Sequence, residues 1–405
     1  MLDKKQRHEK IYRYIRTHGK TSVNLLANFL NVTRETIRSD LSLLESEGLV
    51  IRYHGGARLA PITAIEKTPV SQRHNIGDLF RTLNSNQENR MAIQTENDGR
   101  GKVCILGSFN VDIVARVERF PKSGETIIAL ENTLGPGGKG CNQAMAALYA
   151  NARVHFVAKV GTDHFRQFAR NHFKSSGMDS YTLYQTSEYP TGSAVIYVSD
   201  EDGENKIAIS PGANQNITHD EVNALLPELD SADILLVQLE NNLDAVIDVI
   251  SLAKTLNKKI ILNPAPYSDK IKPFLSNVDI LTPNETEASQ LSGVEITDIS
   301  SAKKAAEIIR AMGVNQVLIT LGNQGVLVSD KTNIVHLPAF PAVAVDTTGA
   351  GDSFNGALAS SLANGSDLIS ATRYAAAFAS LAVEREGAAN MPSHEAALRR
   401  LAQYL

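Results

Sequence analysis

Tryptophan is absent from this 405-residue sequence, and cysteine occurs only twice, as Cys104 and Cys141. Two thiols are too few for a disulfide framework or a four-ligand zinc site, so both are read as reduced thiols. No apolar run reaches the roughly 18 residues that a membrane helix needs. The N-terminus, Met-Leu-Asp-Lys-Lys-Gln-Arg-His, has no apolar core of the signal-peptide kind. These absences predict a soluble, cytosolic protein without a membrane partner. Glycine (27) and proline (14) stand at ordinary frequencies, which excludes collagen-like and low-complexity chains. A length of 405 residues with 43% hydrophobic content leaves room for two or three cores.

Charge is unevenly spread. Residues 1–60 carry eleven Lys/Arg against six Asp/Glu, a net of +5, which leaves −9 for the remainder of a chain whose total is −4. A basic head on an acidic body suits a head that meets a polyanion. On charge alone a solvated helical surface accounts for it equally well, so pattern decides. Apolar residues fall at helical spacing: Ile11 and Ile15, then Val23, Leu26 and Leu30, then Ile37, Leu41 and Leu44. Gly19 and Asn31-Val32-Thr33 break the run into three short helices, with Thr33 placed to cap the third and Arg34, Glu35 and Arg38 on its exposed face. A strand pattern, Leu49-Val-Ile-Arg-Tyr53, and the turn formers His54-Gly55-Gly56 follow. Three helices and a hairpin predict a winged helix-turn-helix over residues 1–58, its third helix entering the major groove.

The residues Arg7-x3-Ile11-x3-Ile15, Thr33-x2-Thr36-Ile37-Arg38-Ser39-Asp40-Leu41, Leu44-Glu45-x2-Gly48 and Arg52-Tyr53-His54-Gly55-Gly56-Ala57 resemble the DNA-binding head of the DeoR family of bacterial repressors. The resemblance implies a double-stranded operator as partner, contacted through Thr33, Arg34, Glu35 and Arg38. Ser39 stands where that family usually has a basic residue, and removes one possible phosphate contact. A small helical domain for dimerisation or protein contact is the competing reading.

Residues 59–101 lose the periodicity. Stretches such as Arg81-Thr-Leu-Asn-Ser-Asn-Gln-Glu-Asn bury too little apolar area to offset the entropy of ordering, which predicts a polar linker with at most a short helix near Ile76–Leu83. From residue 102 onward, short β-branched runs (Val103–Gly107, Val154–Val160, Ala194–Val198, Ile234–Leu239, Lys259–Leu262, Ile280–Thr282, Gln316–Leu321, Val326–Ser329) alternate with amphipathic stretches. Asn142–Tyr149, Leu243–Leu256, Ser301–Met312 and Leu368–Glu384 are the clearest of these. The alternation predicts an α/β fold: a mostly parallel sheet covered by helices on both faces, with ligands at the carboxyl ends of strands.

Two loops carry chemistry. Gly135-Pro136-Gly137-Gly138-Lys139-Gly140-Cys141-Asn142 contains a formal G-x-G-x-x-G, but it does not follow the first strand and no suitably placed acid stands about 20 residues on, which weighs against a dinucleotide fingerprint. A Walker A loop fails as well, since Gly140 follows Gly138-Lys139 where Ser or Thr is required. What remains is bare backbone at a helix start, with Lys139 and Asn142 as polar arms suited to a polyhydroxylated ligand. In Asp346-Thr347-Thr348-Gly349-Ala350-Gly351-Asp352, small residues expose N–H groups at a helix N-terminus, where an anion is favoured. An acid beside such a hole repels a phosphate unless it serves to take a proton. Asp352 is therefore read as the base for a hydroxyl that attacks phosphorus, with Gly349, Ala350 and Gly351 stabilising the transferred group. A plain helix cap is the alternative for Asp352 taken alone.

Together with Gly107-Ser-Phe-Asn110-Val-Asp112, Gln238-Leu-Glu240, Asn263-Pro-Ala-Pro, Thr282-Pro-Asn284-Glu-Thr-Glu287-Ala and Ile319-Thr320-Leu-Gly322-x2-Gly325, these loops resemble both signatures of the PfkB family of carbohydrate kinases, most finely its ribokinase members, from about Lys102 to Leu405. The resemblance implies a ribokinase-like fold with a small β-sheet lid, here Ile113–Thr133 plus Ser193–Val198, and a homodimer paired through it. It implies sugar contacts from Asn110, Asp112, Gly138, Lys139, Gly140, Cys141, Asn142 and Glu240, with Asp352 as base. Asn284 and Glu287 are implied near the ATP phosphates and Mg²⁺, and Thr320, Gly322, Gly325 and Gly351 along the nucleotide. Asp346 and the backbone at Thr348, Ala382, Arg385 and Gly387 are implied ligands of K⁺. Ala376 stands where these kinases often place His or Asn against adenine. The implied reaction is transfer from ATP to the 5-hydroxyl of D-ribose or a close pentose, by a kinase whose head regulates sugar-use genes. A repressor that uses the kinase fold as a sugar sensor is the alternative function.

Overall fold

The computed structural model describes residues 4–18, 21–30, 32–46, 50–53, 55–59, 90–92 and 99–404. It divides into two compact units, residues 1–89 and 90–405. The expected helix near Ile76–Leu83 lies outside the described residues.

In the first unit α1 (Lys4–His18), β1 (Thr21–Ser22), α2 (Val23–Leu30), α3 (Arg34–Ser46), β2 (Val50–Tyr53) and β3 (Gly56–Leu59) follow one another, and the strands pair antiparallel in the order β1-β3-β2. The helical periodicity read from the sequence is the core: Ile11, Ile15, Leu26, Ile37, Leu41 and Leu44 are all buried. Thr33 caps α3 by accepting the Thr36 N–H at 3.2 Å. One charged residue enters this core. Asp40 of α3, 1% exposed, accepts from the Arg7 guanidinium at 2.5 and 3.0 Å and pairs with His8 at 2.9 Å, which ties α3 to α1.

The second unit begins with β4 (Arg90–Ala92), β5 (Lys102–Leu106), β6 (Asn110–Val117), β7 (Glu131–Gly137), α4 (Lys139–Tyr149), β8 (Arg153–Gly161), α5 (Phe165–Ser175), β9 (Ser180–Thr186), β10 (Gly192–Ser199) and β11 (Asn205–Ser210). It continues with β12 (Ile234–Val237), α6 (Leu243–Thr255), β13 (Lys259–Leu262), β14 (Ile280–Leu281), α7 (Glu285–Ser292), α8 (Ile299–Ala311), β15 (Gln316–Thr320), β16 (Val326–Ser329), β17 (Ile334–Leu337), α9 (Ala350–Ala363), α10 (Leu368–Ala382) and α11 (His394–Gln403). Ten strands form the main sheet in the order β17-β16-β15-β14-β13-β12-β5-β8-β9-β4, parallel from β15 to β9 and antiparallel at both edges. Central strands such as Ile234–Val237 are buried on both faces, as continuous β-branched and leucine runs require. Two apolar cores result, one containing Phe109, Phe156 and Phe378 and the other Val249, Ile260 and Leu275.

Two expectations are corrected. The stretch read as linker to Gly101 contains β4, which pairs with β9 through backbone groups that composition does not report. The lid is a four-stranded sheet, β11-β10-β6-β7, and not the 113–133 and 193–198 segments alone. Its β6 starts at Asn110, so Asn110 and Asp112 are lid residues, and β11 was missed because all six of its residues are exposed and leave no buried face to read.

Candidate active site

The carboxyl ends of β13, β14 and β15 meet the N-termini of α4 and α9, where the parallel topology places a ligand. They enclose a cavity of about 160 Å³ whose walls include Lys139, Asn284, Glu287, Thr320, Gly349–Gly351 and Asp352. Seven of the implied residues are thus brought to one space with Asp352. Gly349, at φ +76°, turns the chain into α9. Gly351 is different: a Cβ there meets no protein atom within 4 Å, so protein packing does not demand its bareness.

Asp352 is 5% exposed and doubly held. Its Oδ2 accepts from Asn142 Nδ2 at 3.1 Å and its Oδ1 from Gln143 Nε2 at 2.9 Å. Lys139 faces the same carboxylate, and the negative charge of Asp352, joined by Glu240 and Glu287 against the opposing effect of burial, holds its ammonium above the ordinary range. Glu287 is raised by burial. It closes a capping box on α7, accepting the Asn284 N–H at 2.9 Å while Asn284 Oδ1 accepts the Glu287 N–H at 2.8 Å. Asn284 bridges to Thr320, whose N–H donates to Pro283 O at 3.0 Å, so the two helix-start and strand-end positions are fixed together.

Beyond Lys139 lie the lid residues. Asn110 is 3% exposed and its side-chain carbonyl accepts from Asn214 Nδ2 at 2.8 Å. Burial, then the neighbouring Glu240, pushes the Asp112 carboxyl up to about 7. Gly137 is obligatory here, since a Cβ on it would lie 2.1 Å from Asp112 Oδ2. Glu240 does more than face the site: its Oε2 accepts from Ser108 Oγ at 2.5 Å and from the Lys139 N–H at 3.0 Å, and so anchors the start of α4.

Two of the expected sugar contacts pack away from the cavity. Cys141 turns its side chain into the core, 3.7 Å from His172 Nε2, where burial pushes the thiol up. Gly140 packs against the Gly107 backbone, where a Cβ would come within 2.4 Å. Gly322 and Gly325 form the turn after β15, and a Cβ on Gly325 would meet the Leu337–Ala339 backbone, which walls a second pocket of about 230 Å³. Asp346, Thr348 and Gly387 do converge: the Asp346 carboxylate accepts the Thr348 N–H at 2.8 Å and the Gly387 N–H at 3.0 Å. Burial opposes ionisation of Asp346, but these hydrogen bonds prevail and keep its carboxyl below the usual range. The Asp346 N–H donates to Val383 O at 3.1 Å, which ties this loop to the segment carrying Ala382 and Arg385. Sequence reasoning gave no role to Gln143, Asn214, Gln238, Asn263 or Asn355, because buried amides carry no charge pattern; Gln238 and Asn263 stand in motifs that carry the resemblance, Gln143 and Asn355 lie next to the two loops, and Asn214 had no signal.

A larger groove of about 650 Å³ lies beside Lys259 and Gln316, at the amino ends of the strands. Its Asp279 is committed to the Ile260 N–H and to Asn315.

Residues 100–396 match the pfkB family of carbohydrate kinases, and the chain belongs to that family. Residues 7–63 match the DeoR-like helix-turn-helix domain. Among curated relatives, a ribokinase of Haemophilus influenzae is 38% identical over 75% of this chain and 99% of its own, and a deoxyribokinase of Salmonella typhi is 32% identical over 70% and 93%. A ribokinase of Arabidopsis thaliana, solved with ribose and ATP, superposes with a TM-score of 0.69 at 32% identity, over 75% of this chain and 99% of that one.

Proposed function

We propose that this carbohydrate kinase phosphorylates D-ribose, or a close pentose, at the 5-hydroxyl with ATP, in the cytoplasm. The observation that carries the reading is Asp352: a buried carboxylate at the N-terminus of α9, beside bare backbone and an ammonium group. The sugar lies under the lid sheet against Asn110, Asp112 and Lys139. Asp352 accepts the proton of the 5-hydroxyl as that oxygen bonds to the γ-phosphorus and the bond to the ADP oxygen breaks. The N–H groups at Gly349–Gly351 and Lys139 meet the charge on the phosphoryl oxygens, and positioning supplies the rest. The base of ATP takes the pocket of about 230 Å³ beside Ala376, Phe340 and Arg373.

Asn284 and Glu287 offer hard oxygen donors in the cavity and fit Mg²⁺, which when bound neutralises phosphate charge. Asp346, held by the Thr348 and Gly387 N–H groups, stands beside the backbone at Thr348, Ala382, Arg385 and Gly387, whose carbonyls are oxygen donors of the kind K⁺ takes; a cation held there would supply a fixed positive charge behind the anion hole.

The head binds a double-stranded DNA operator through α3, whose Arg34, Glu35 and Arg38 share an exposed face. A homodimer formed through the lids pairs two such heads. The lid supports this pairing, because Leu134, Val195 and Tyr197 on one of its faces remain 54%, 39% and 39% exposed.

A coupled ADP-release assay over a panel of pentoses tests the reading, with turnover on D-ribose expected. No turnover on any sugar, together with sugar-dependent release of operator DNA, would refute it in favour of a sensor.

A further inference from the structure

Gln143 is fully buried, and every polar atom of its side chain is used in one direction. Its Nε2 donates to Asp352 Oδ1 at 2.9 Å and to Asn263 Oδ1 at 3.2 Å, while its Oε1 accepts from Gln238 Nε2 at 2.6 Å. Asn263 in turn donates its Nδ2 to Thr282 O at 3.1 Å. Reversing the Gln143 amide would set its carbonyl against the Asp352 carboxylate and the Asn263 carbonyl, and its NH₂ against the NH₂ of Gln238. The orientation is therefore fixed from both ends. Gln238 bears the cost. Its Oε1 is buried with no hydrogen-bond partner among the described residues, pressed against Gly107, where a Cβ would lie 2.6 Å from it. A buried acceptor left unpaired is unfavourable, and amides that served packing alone would escape it by apolar replacement. Here the unpaired oxygen is the price of pointing N–H groups along the chain toward Asp352, each bond polarising the next.

We infer that Gln238 and Gln143 form a donor relay that fixes the carboxylate of Asp352 in the plane from which it takes the substrate proton, making Gln143 a positioning residue for phosphoryl transfer. The inference rests on the kinase reading above. Among the described residues the relay makes no hydrogen bond to the lid or to Asn110 and Asp112, so its loss falls on the chemical step and not on sugar binding. Gln143 is the only protein donor to Oδ1 among the described residues, and Asn142 serves the other oxygen.

The test is steady-state kinetics of the full chain carrying Gln143→Leu, Gln238→Leu and both, with D-ribose, ATP, Mg²⁺ and K⁺, alongside thermal melting. Gln143→Leu is expected to lower kcat by about tenfold or more while the KM for ribose stays within about threefold. Gln238→Leu is expected to lower kcat by less, and to add nothing in the Gln143→Leu background, as for residues acting in series. A kcat within twofold of wild type for Gln143→Leu, a parallel rise in KM, or independent multiplication of the two losses would overturn the relay. Should Gln143→Leu fail to fold, Gln238→Leu, which leaves both donors to Asp352 in place, decides alone: an unchanged kcat overturns the relay. Wild-type turnover is the control, and its absence with every pentose would overturn the kinase reading and the relay with it.

Discussion

Asp352 and Asp112 are both carboxylates in the same unit, yet their surroundings set them different tasks. Asp352 has two amide donors and a facing ammonium, whereas Asp112 sits under Gly137 beside Glu240, with its carboxyl raised to about 7. Asp352→Asn removes the proton acceptor but keeps shape, so kcat should fall by about 10²- to 10⁴-fold with ribose affinity largely retained, as read by ADP release and by calorimetric titration of ribose. Loss of less than tenfold would remove Asp352 from the role of base. Asp112 predicts a pH effect of definite sign. Below about 7 its carboxyl is protonated and loses acceptor capacity for a sugar hydroxyl, so the KM for ribose should rise as pH falls from 8 to 6, and Asp112→Asn should flatten that limb. A wild-type KM independent of pH across that interval contradicts this.

Among the elements, α3 shows what the sequence could and could not disclose. Its apolar spacing, its Thr33 cap and its exposed Arg34 and Arg38 were legible, because each follows from helical period and capping chemistry. Its anchorage through Asp40 was not, since a carboxylate in a basic helix face reads as solvated until Arg7 is brought to it from 33 residues away. Charge reversal at Arg34 and Arg38 should abolish retention of upstream DNA and flatten its salt dependence in a mobility-shift titration, while leaving kinase turnover intact. Burial acts to raise the Asp40 carboxyl, but Arg7 and His8 together hold it below its ordinary value. The stabilisation is therefore complete above the unfolded value near 4 and is lost as pH falls through the folded one. Asp40→Ala should cost the head about 2–3 kcal/mol at neutral pH, seen as faster amide exchange at Ile37 and Leu41, and should remove this acid dependence.

At the scale of the whole molecule, the parallel sheet was legible because strands buried on both faces are runs of Val, Ile and Leu that little else resembles. Two strands escaped for the converse reason: β11 of the lid buries nothing, and β9, Ser180–Thr186, alternates polar and apolar side chains over a short span. The loop proposed as the anion hole stands out as small residues before an acid, whereas the amides behind it required the fold to bring α4, β12 and β13 into one place. The exposed lid face carries the assembly prediction. Tyr197→Asp, placed opposite Ala115 in the β10–β6 register, should shift the protein from dimer to monomer in sedimentation velocity and weaken operator binding along with it. A variant that stays dimeric would locate the contact elsewhere.

The strand β6 belongs to the covering sheet and also bears Asn110 and Asp112. On the proposed reading grip and gate are thus one object: any displacement of that sheet carries the two proposed sugar ligands away with it. Substitutions that make this sheet hold ribose longer should hold the phosphorylated product longer too, so that tighter capture and faster cycling pull against each other in this enzyme.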